Sequence, residues 1–203
     1  MEDETFTLLP LTLDPTSKAV SCASAATPAL TAELAELNVL QRALLTLESP
    51  VPPPPVPVNP KRSAAITKLR ESGNAAFRKA AFAEAIRMYT FGIEMALGRP
   101  MWEPSGLVRD EVAGLYANRA QAHMAMQNWV EGMIDAECSV EMKKVGNAKA
   151  WWRRGRCLVE MGRLHEAAEW LEKAKEFETS DAEVVGLAKE VDGLLERREK
   201  GGK

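Results

Sequence analysis

Small and large apolar residues recur at fixed intervals along the second half of the chain. The recurring positions form three sets: Leu69, Gly73 and Ala85; Tyr116, Ala120 and Gly132; and Trp151, Gly155 and Ala167. In each set a large apolar residue stands 4 positions before one small residue, which in turn stands 12 positions before another. Small residues at matching points of two successive helices let those helices pack closely. The pattern therefore predicts three helical hairpins.

The interval between the sets identifies the type of repeat. Gly73 and Ala120 are 47 positions apart, and Ala120 and Gly155 are 35 positions apart. A two-helix unit of about 34 residues is the tetratricopeptide period. We attribute the longer first interval to an inserted loop, "GRPMWEPSGLVRD", at residues 98–110.

A further amphipathic segment, "SDAEVVGLAKEVDGLLERRE", follows the third hairpin, and Ser180 or Asp181 is expected to cap it. Its apolar stripe comprises Val184, Leu187, Val191 and Leu194. A terminal repeat needs such a helix to cover its exposed apolar side. The predicted fold class is therefore mainly α, with three tetratricopeptide helix pairs and a C-terminal capping helix in a right-handed superhelix over residues 61–198.

The first 49 residues predict a small α/β region. Its first apolar residues alternate with polar residues or proline, and "DPTSK" supplies turn residues, which predicts one or two short strands or a hairpin. A helix follows, with Thr27 as its cap and Pro28 in its first turn. Leucines at steps of three and four give this helix one apolar stripe: Leu34, Leu37, Leu40, Leu44 and Leu47.

A region of this size buries little surface by itself. Its apolar side chains either pack against the helical domain or dock on another chain, and the sequence leaves both interpretations open. The candidate docking residues are Phe6, Leu8, Leu11, Leu13, Leu34, Leu37, Leu40 and Leu44. Residues 50–60, "PVPPPPVPVNP", hold 7 of the 12 prolines and predict a semi-rigid linker between the two regions.

Composition and charge exclude several classes of function. The net charge is -3, so there is no overall positive field to hold nucleic acid. Three cysteines without a CxxC pair argue against a disulfide framework and a zinc site, and we expect no cofactor and no metal.

Neither a signal peptide nor a membrane span is expected, so any membrane association runs through a partner rather than through direct insertion. No nucleophile set or phosphate loop is present, and we expect no enzyme.

Two unneutralised cations single out one helix face. In "KAWWRRG" Lys149 and Arg153 lie one turn apart, and neither has an acidic residue three or four positions away. Such a pair destabilises a helix by about 0.2–0.5 kcal/mol. In stacked repeats Arg70, Asn74 and Asn118 fall on the same stripe, which faces the concave groove of the first helices. Cations and amide donors together suit a pair of carboxylates on a narrow ligand, such as a chain terminus carrying Asp.

These residues carry a resemblance to a known family. "LRESGN" (69–74), "LYANRA" (115–120) and "KAWWRRG" (149–155) resemble the dicarboxylate-clamp motifs of tetratricopeptide co-chaperones, which bind heat-shock chaperone tails ending in Glu-Glu-Val-Asp. The resemblance implies a clamp made of Arg70, Asn74, Asn118, Lys149 and Arg153, with Arg70 standing where that family usually has lysine. Trp152 lies near the stripe and is a further candidate for contact with an apolar peptide residue.

The whole chain resembles a narrower family, the cytosolic tetratricopeptide subunit of the fungal Sec62–Sec63-containing post-translational translocation complex. The resemblance rests on "LTLDPTSKAVSCAS", the proline linker and "RPMWEP". It implies a peripheral subunit on the cytosolic face of the endoplasmic reticulum, held through its N-terminal region by a small single-span partner and placed beside other translocon subunits. Such a subunit would receive seventy-kilodalton heat-shock chaperones carrying precursor proteins. The alternatives are a soluble co-chaperone or adaptor with the same clamp, and a structural scaffold whose groove holds its own N-terminal segment.

Overall fold

The computed structural model describes residues 9–23, 27–47 and 58–201, and the chain divides into two compact units, Met1–Pro57 and Val58–Lys203. Phe6 and Leu8 and most of the predicted linker at residues 50–60 lie outside the described residues. Within the described ranges, no helix is both long enough and apolar enough to cross a bilayer.

The first unit contains a short hairpin. Strand β1 (Leu11–Leu13) pairs antiparallel with strand β2 (Val20–Cys22). The turn between them is held by Asp14, whose Oδ1 accepts hydrogen bonds from the backbone N–H groups of Ser17 and Thr16 at 2.6 and 2.9 Å. These bonds, those from Ser17 foremost, hold the pKa of Asp14 below its usual value.

Helix α1 (Pro28–Leu45) follows and begins at its predicted cap, since Thr27 Oγ1 accepts from the N–H of Leu30 at 3.1 Å. Asn38 joins this helix to β2, because its side chain both accepts from Val20 N and donates to Val20 O, each at 2.8 Å. No residue of α1 is buried, and Leu37 is 45 % exposed. The leucine stripe is therefore formed but left partly open to solvent.

The second unit consists of helices joined by short connections over its described length. Its helices are α2 (Lys61–Arg78), α3 (Phe82–Leu97), α4 (Ser105–Ala125), α5 (Trp129–Met142), α6 (Ala148–Glu160), α7 (Leu164–Phe177) and α8 (Ala182–Gly201). Consecutive helices pack as the pairs α2–α3, α4–α5 and α6–α7, and α8 packs on the last pair. The predicted fold class is confirmed: three tetratricopeptide pairs, a capping helix and a small N-terminal α/β region.

The small residues of the repeat mark the points where paired helices approach. A Cβ on Gly73 would lie 2.5 Å from Cε1 of Tyr89, and a Cβ on Gly155 would lie 2.9 Å from Cδ2 of Leu171. Neither position has room for a side chain, so each glycine brings the backbones of its helix pair together. Two apolar clusters fill the space between the helices, one over α2–α4 and one centred on α6–α8.

The prediction of an inserted loop over residues 98–110 is wrong in its second half. Helix α4 begins at Ser105, so only residues 98–104 separate it from α3. Arg99 anchors this connection with a side chain that is 1 % exposed. Its guanidinium donates to Glu111 at 2.7 and 2.9 Å, to Ser63 Oγ at 2.8 Å and also to Glu103. The insertion therefore extends a helix and is fixed by a buried cation.

Candidate functional site

A cavity of about 480 Å³ lies against the first helices of the second and third repeats. Its lining includes Asn118 of α4 and Lys149 and Arg153 of α6. It also includes Glu178, Asp181 and Glu183, from the end of α7 and the start of α8. Three of the five predicted clamp residues therefore meet around one space, and that space is also lined by three carboxylates that the sequence analysis did not place in the groove.

A second cavity of about 300 Å³ continues the groove toward the first repeat. It is lined by Asn74, Phe77, Tyr89, Asn118, Gln121 and Arg153. Asn118 and Arg153 line both cavities, so the two spaces adjoin along a groove that involves α2, α4 and α6.

Asn74 is held in a fixed orientation. Its Oδ1 accepts from the hydroxyl of Tyr89 at 2.7 Å and from Nδ2 of Asn118 at 3.1 Å. Because both bonds fall on the oxygen, the amide nitrogen of Asn74 remains as a donor for a ligand. Burial raises the pKa of Tyr89, which keeps its hydroxyl protonated and able to donate.

Arg153 is the most buried cation of the groove, with 9 % of its surface exposed. Its Nε donates to Oε1 of Gln121 at 2.9 Å, and its Nη1 donates to the backbone carbonyl of Ala117 at 2.8 Å. Burial lowers the pKa of Arg153, against a smaller opposing effect of Glu183. Within the described residues no carboxylate pairs with this guanidinium, and its Nη2 has no acceptor.

Arg70 and Lys149 are exposed, and neither forms an ion pair within the described part of the chain. Nη1 of Arg70 lies 3.7 Å from the position that a Cβ would take on Gly114, and Gly114 lines the larger cavity. The exposed head of Arg70 thus lies at the edge of the groove, and Lys149 lies inside it.

Trp152 is not brought into either cavity. It packs instead against the apolar cluster centred on α6–α8, and the Cζ atom of Arg156 lies 5.6 Å from its ring centroid. The helical spacing placed Trp152 near the groove stripe because it adjoins Arg153. Since its indole lies against this cluster, the structure gives no support for contact between Trp152 and a peptide.

Sequence reasoning missed two residues that orient the groove, Tyr89 and Gln121. Tyr89 stands 16 positions after Gly73, a spacing that indicates only a packing residue. Nothing in the sequence predicts that its hydroxyl donates to Asn74 on the other helix of the same pair. Gln121 stands one turn after Asn118 on α4 and so shares its face, which was the available signal.

Comparison with known proteins places these features in a family. No family model matches the chain. The ER protein translocation subcomplex subunit sec67 of Schizosaccharomyces pombe is 31% identical over 136 residues, which make up 65% of this chain and 70% of that protein.

Two solved structures share the fold. A chain of the Saccharomyces cerevisiae Sec complex, in the cryo-EM class without Sec62, matches 93% of this chain and 98% of its own length with a TM-score of 0.74 at 20% identity. The first TPR of Spaghetti (RPAP3) bound to the HSP90 peptide SRMEEVD matches 66% of this chain and 94% of its own length, with a TM-score of 0.54 at 25% identity. With its tetratricopeptide unit and its resemblance to sec67 over two-thirds of that protein, the chain belongs to the family of this fungal translocation subunit.

Proposed function

We propose that this protein is a non-enzymatic adaptor of endoplasmic-reticulum translocation that captures the acidic C-terminal tails of seventy-kilodalton heat-shock chaperones. Membership of the sec67 family supports the place in translocation. The likeness to a tetratricopeptide domain bound to a peptide ending in Glu-Glu-Val-Asp supports the class of ligand. The groove on α2, α4 and α6 is the proposed binding site.

The chemistry of the groove suits two carboxylates held close together. Lys149 and the free Nη2 of Arg153 offer charge-assisted hydrogen bonds. Asn74 offers an amide donor that is uncharged, so it adds no repulsion to the two cations. Asn118 adds a polar group within the groove, and Arg70 adds a cation at its edge. A terminal Asp presents its α-carboxylate and its side-chain carboxylate within a few ångströms. One peptide residue therefore binds the cations and the amide donors together.

The main support for the proposal is that Arg153 is buried without a counter-ion among the described residues. A guanidinium that is nine-tenths buried has lost most of its water, yet the described residues give it only neutral acceptors. A buried charge without a counter-ion is costly. An incoming carboxylate removes that cost and gains a hydrogen bond worth about 1.5–3 kcal/mol to a charged partner.

The N-terminal unit is the proposed attachment to the membrane. We assign its docking role to the partly open leucine face of α1 and to Leu11 and Leu13 of β1, which are 49% and 61% exposed. The proposed partner is a small single-span subunit of the translocon on the cytosolic face of the endoplasmic reticulum. Deleting residues 1–49 separates this proposal from a soluble adaptor with the same groove, because only the membrane-attached adaptor then leaves the membrane fraction.

The test of the groove is calorimetric titration with a peptide ending in Glu-Glu-Val-Asp. We expect a Kd of about 1 μM, or about −8 kcal/mol, which weakens as salt rises. Amidation of the peptide C-terminus, or Lys149→Ala, should weaken binding by about 2 kcal/mol, since each removes a charge-assisted bond.

Lys173→Ala provides the matched control, because Lys173 is an exposed lysine of α7 that lines neither cavity of the groove. This variant should bind like the wild type. Equal affinities for the free-acid and amidated peptides would rule out a carboxylate clamp.

A further inference from the structure

Residues of opposite charge line the larger groove cavity. The cations are Lys149 and Arg153 of α6, and the acids are Glu178, Asp181 and Glu183. A groove built only to attract acidic tails gains nothing from carboxylates at this place, because they repel the same ligand. These three acids must therefore contribute something other than attraction of an acidic tail.

Two of the three acids have structural roles. Oε1 of Glu178 accepts from the backbone N–H of Asn147 at 2.6 Å, which ties the end of α7 to the start of α6. Oδ1 of Asp181 accepts from the N–H groups of Glu183 and Val184 at 3.1 and 3.0 Å, so Asp181 rather than Ser180 caps α8. Both carboxylates serve the packing of the last helices.

Glu183 differs from these two. Across the described residues its side chain makes no hydrogen bond and no ion pair, although it is exposed and lines the cavity. The charge of Glu183 also acts on Arg153, whose pKa it raises against the effect of burial. This carboxylate is therefore close enough to affect the groove and is left free to meet a ligand.

We propose that Glu183 determines ligand specificity, so that the groove prefers tails that carry a basic side chain a few residues before the acidic terminus over tails with further acidic residues there. This inference rests on the proposed function, since the acidic terminus must first occupy Lys149 and Arg153. In this proposal the terminus is held at these two cations, and the upstream residues of the peptide extend past the same cavity. A lysine or arginine there is attracted by Glu183, and a glutamate is repelled.

The experiment uses the full chain and three peptide series that all end in Glu-Glu-Val-Asp. In each series one of the three residues before this ending is Arg, Gln or Glu, and calorimetry gives Kd for the wild type, for Glu183→Gln and for Glu196→Gln. Glu196 is an exposed acid further along α8, so its replacement changes the net charge equally at a site away from the groove.

At one or more of the three positions, we expect the wild type and Glu196→Gln to bind the Arg peptide about fivefold more tightly than the Glu peptide, as an exposed charge pair allows. In Glu183→Gln the ratio should fall below about twofold. A structural effect of Glu183 on the start of α8 would shift all three peptides alike and leave their ratios unchanged.

The outcomes separate the two proposals. If every peptide binds but the Arg-to-Glu ratio is the same in Glu183→Gln as in the wild type at all three positions, the specificity role is overturned and the clamp stands. If no peptide binds the wild type, the proposed function fails and the specificity role fails with it.

Discussion

Nε of Arg153 on α6 donates a 2.9 Å hydrogen bond to Oε1 of Gln121 on α4. The cation of the third repeat is thus held by a side chain of the second. The backbone carbonyl of Ala117, also on α4, accepts a hydrogen bond from its Nη1. Two of the three guanidinium nitrogens are fixed in this way. The direction of Nη2, the nitrogen proposed to meet the ligand, therefore depends on Gln121.

Replacing Gln121 with alanine should weaken binding of a Glu-Glu-Val-Asp peptide by about fivefold, or roughly 1 kcal/mol, the typical worth of one hydrogen bond. The change frees Nε of Arg153 without removing a charge, so the salt dependence of binding should stay the same. Calorimetry at two salt concentrations measures both quantities. An unchanged affinity would mean that Gln121 does not position the cation.

Replacing Gly73 with alanine should destabilise the protein, because the new methyl group would lie 2.5 Å from the Tyr89 ring. Overpacking of this kind costs about 1–3 kcal/mol, which corresponds to a loss of several degrees in Tm. The displaced ring also draws its hydroxyl away from Asn74, so peptide affinity should fall as well.

Gly186→Ala is the matched control for Gly73→Ala. A Cβ on Gly186 in α8 meets nothing within 4 Å, so the change should stabilise the helix by about 0.5–1 kcal/mol. Thermal unfolding followed by circular dichroism measures both variants. Equal shifts in Tm would contradict the close packing of α2 and α3.

The repeat period was enough to predict the helix pairs, because the requirement for a small residue is local: Gly73 and Gly155 must admit the side chains of Tyr89 and Leu171. The groove stripe also follows from helical spacing. Its detailed partners do not, since the bond between Asn118 and Asn74 depends on how α2 crosses α4. The presence of Glu183 and Arg153 in one cavity depends in the same way on how α8 packs. The 98–110 segment was misjudged because the partners of Arg99 lie up to 36 positions away.

Replacing Arg99 with alanine should cost about 3–5 kcal/mol of unfolding free energy, because it leaves the carboxylates of Glu103 and Glu111 without their buried counter-ion. The double variant Arg99→Met with Glu111→Leu should recover part of that loss, since it removes the more buried of the two carboxylates that would be left without a partner. Urea unfolding measures each free energy.

Lys175→Met provides the control for the buried ion pair. Lys175 pairs with Glu172 on the surface of α7, with side chains that are 36% and 66% exposed. Exposed pairs contribute about 0–1 kcal/mol, so this variant should unfold nearly like the wild type. A loss for Arg99→Ala no larger than that for Lys175→Met would show that the insertion is not anchored by its arginine.

Replacing His123 should reduce the dependence of stability on pH. Burial lowers the pKa of His123 below its usual 6.5, with Arg119 acting in the same direction and Asp135 and Glu131 against it. Its Nδ1 is buried without a partner within the described residues, so a proton placed there finds no acceptor. The unfolded chain then takes up a proton before the folded chain does, and the unfolding free energy falls as pH drops through about 6.5.

The measurement is urea unfolding at pH 7.5 and pH 5.5 for the wild type, His123→Gln and His165→Gln. The wild type should lose stability at the lower pH, and His123→Gln should lose less, because the group whose pKa is lowered on folding is gone. His165 is the other histidine of the chain and is exposed near the start of α7, so His165→Gln should keep the wild-type loss. If His123→Gln kept the full loss and His165→Gln abolished it, the partly buried imidazole of His123 would not be the group that links stability to pH.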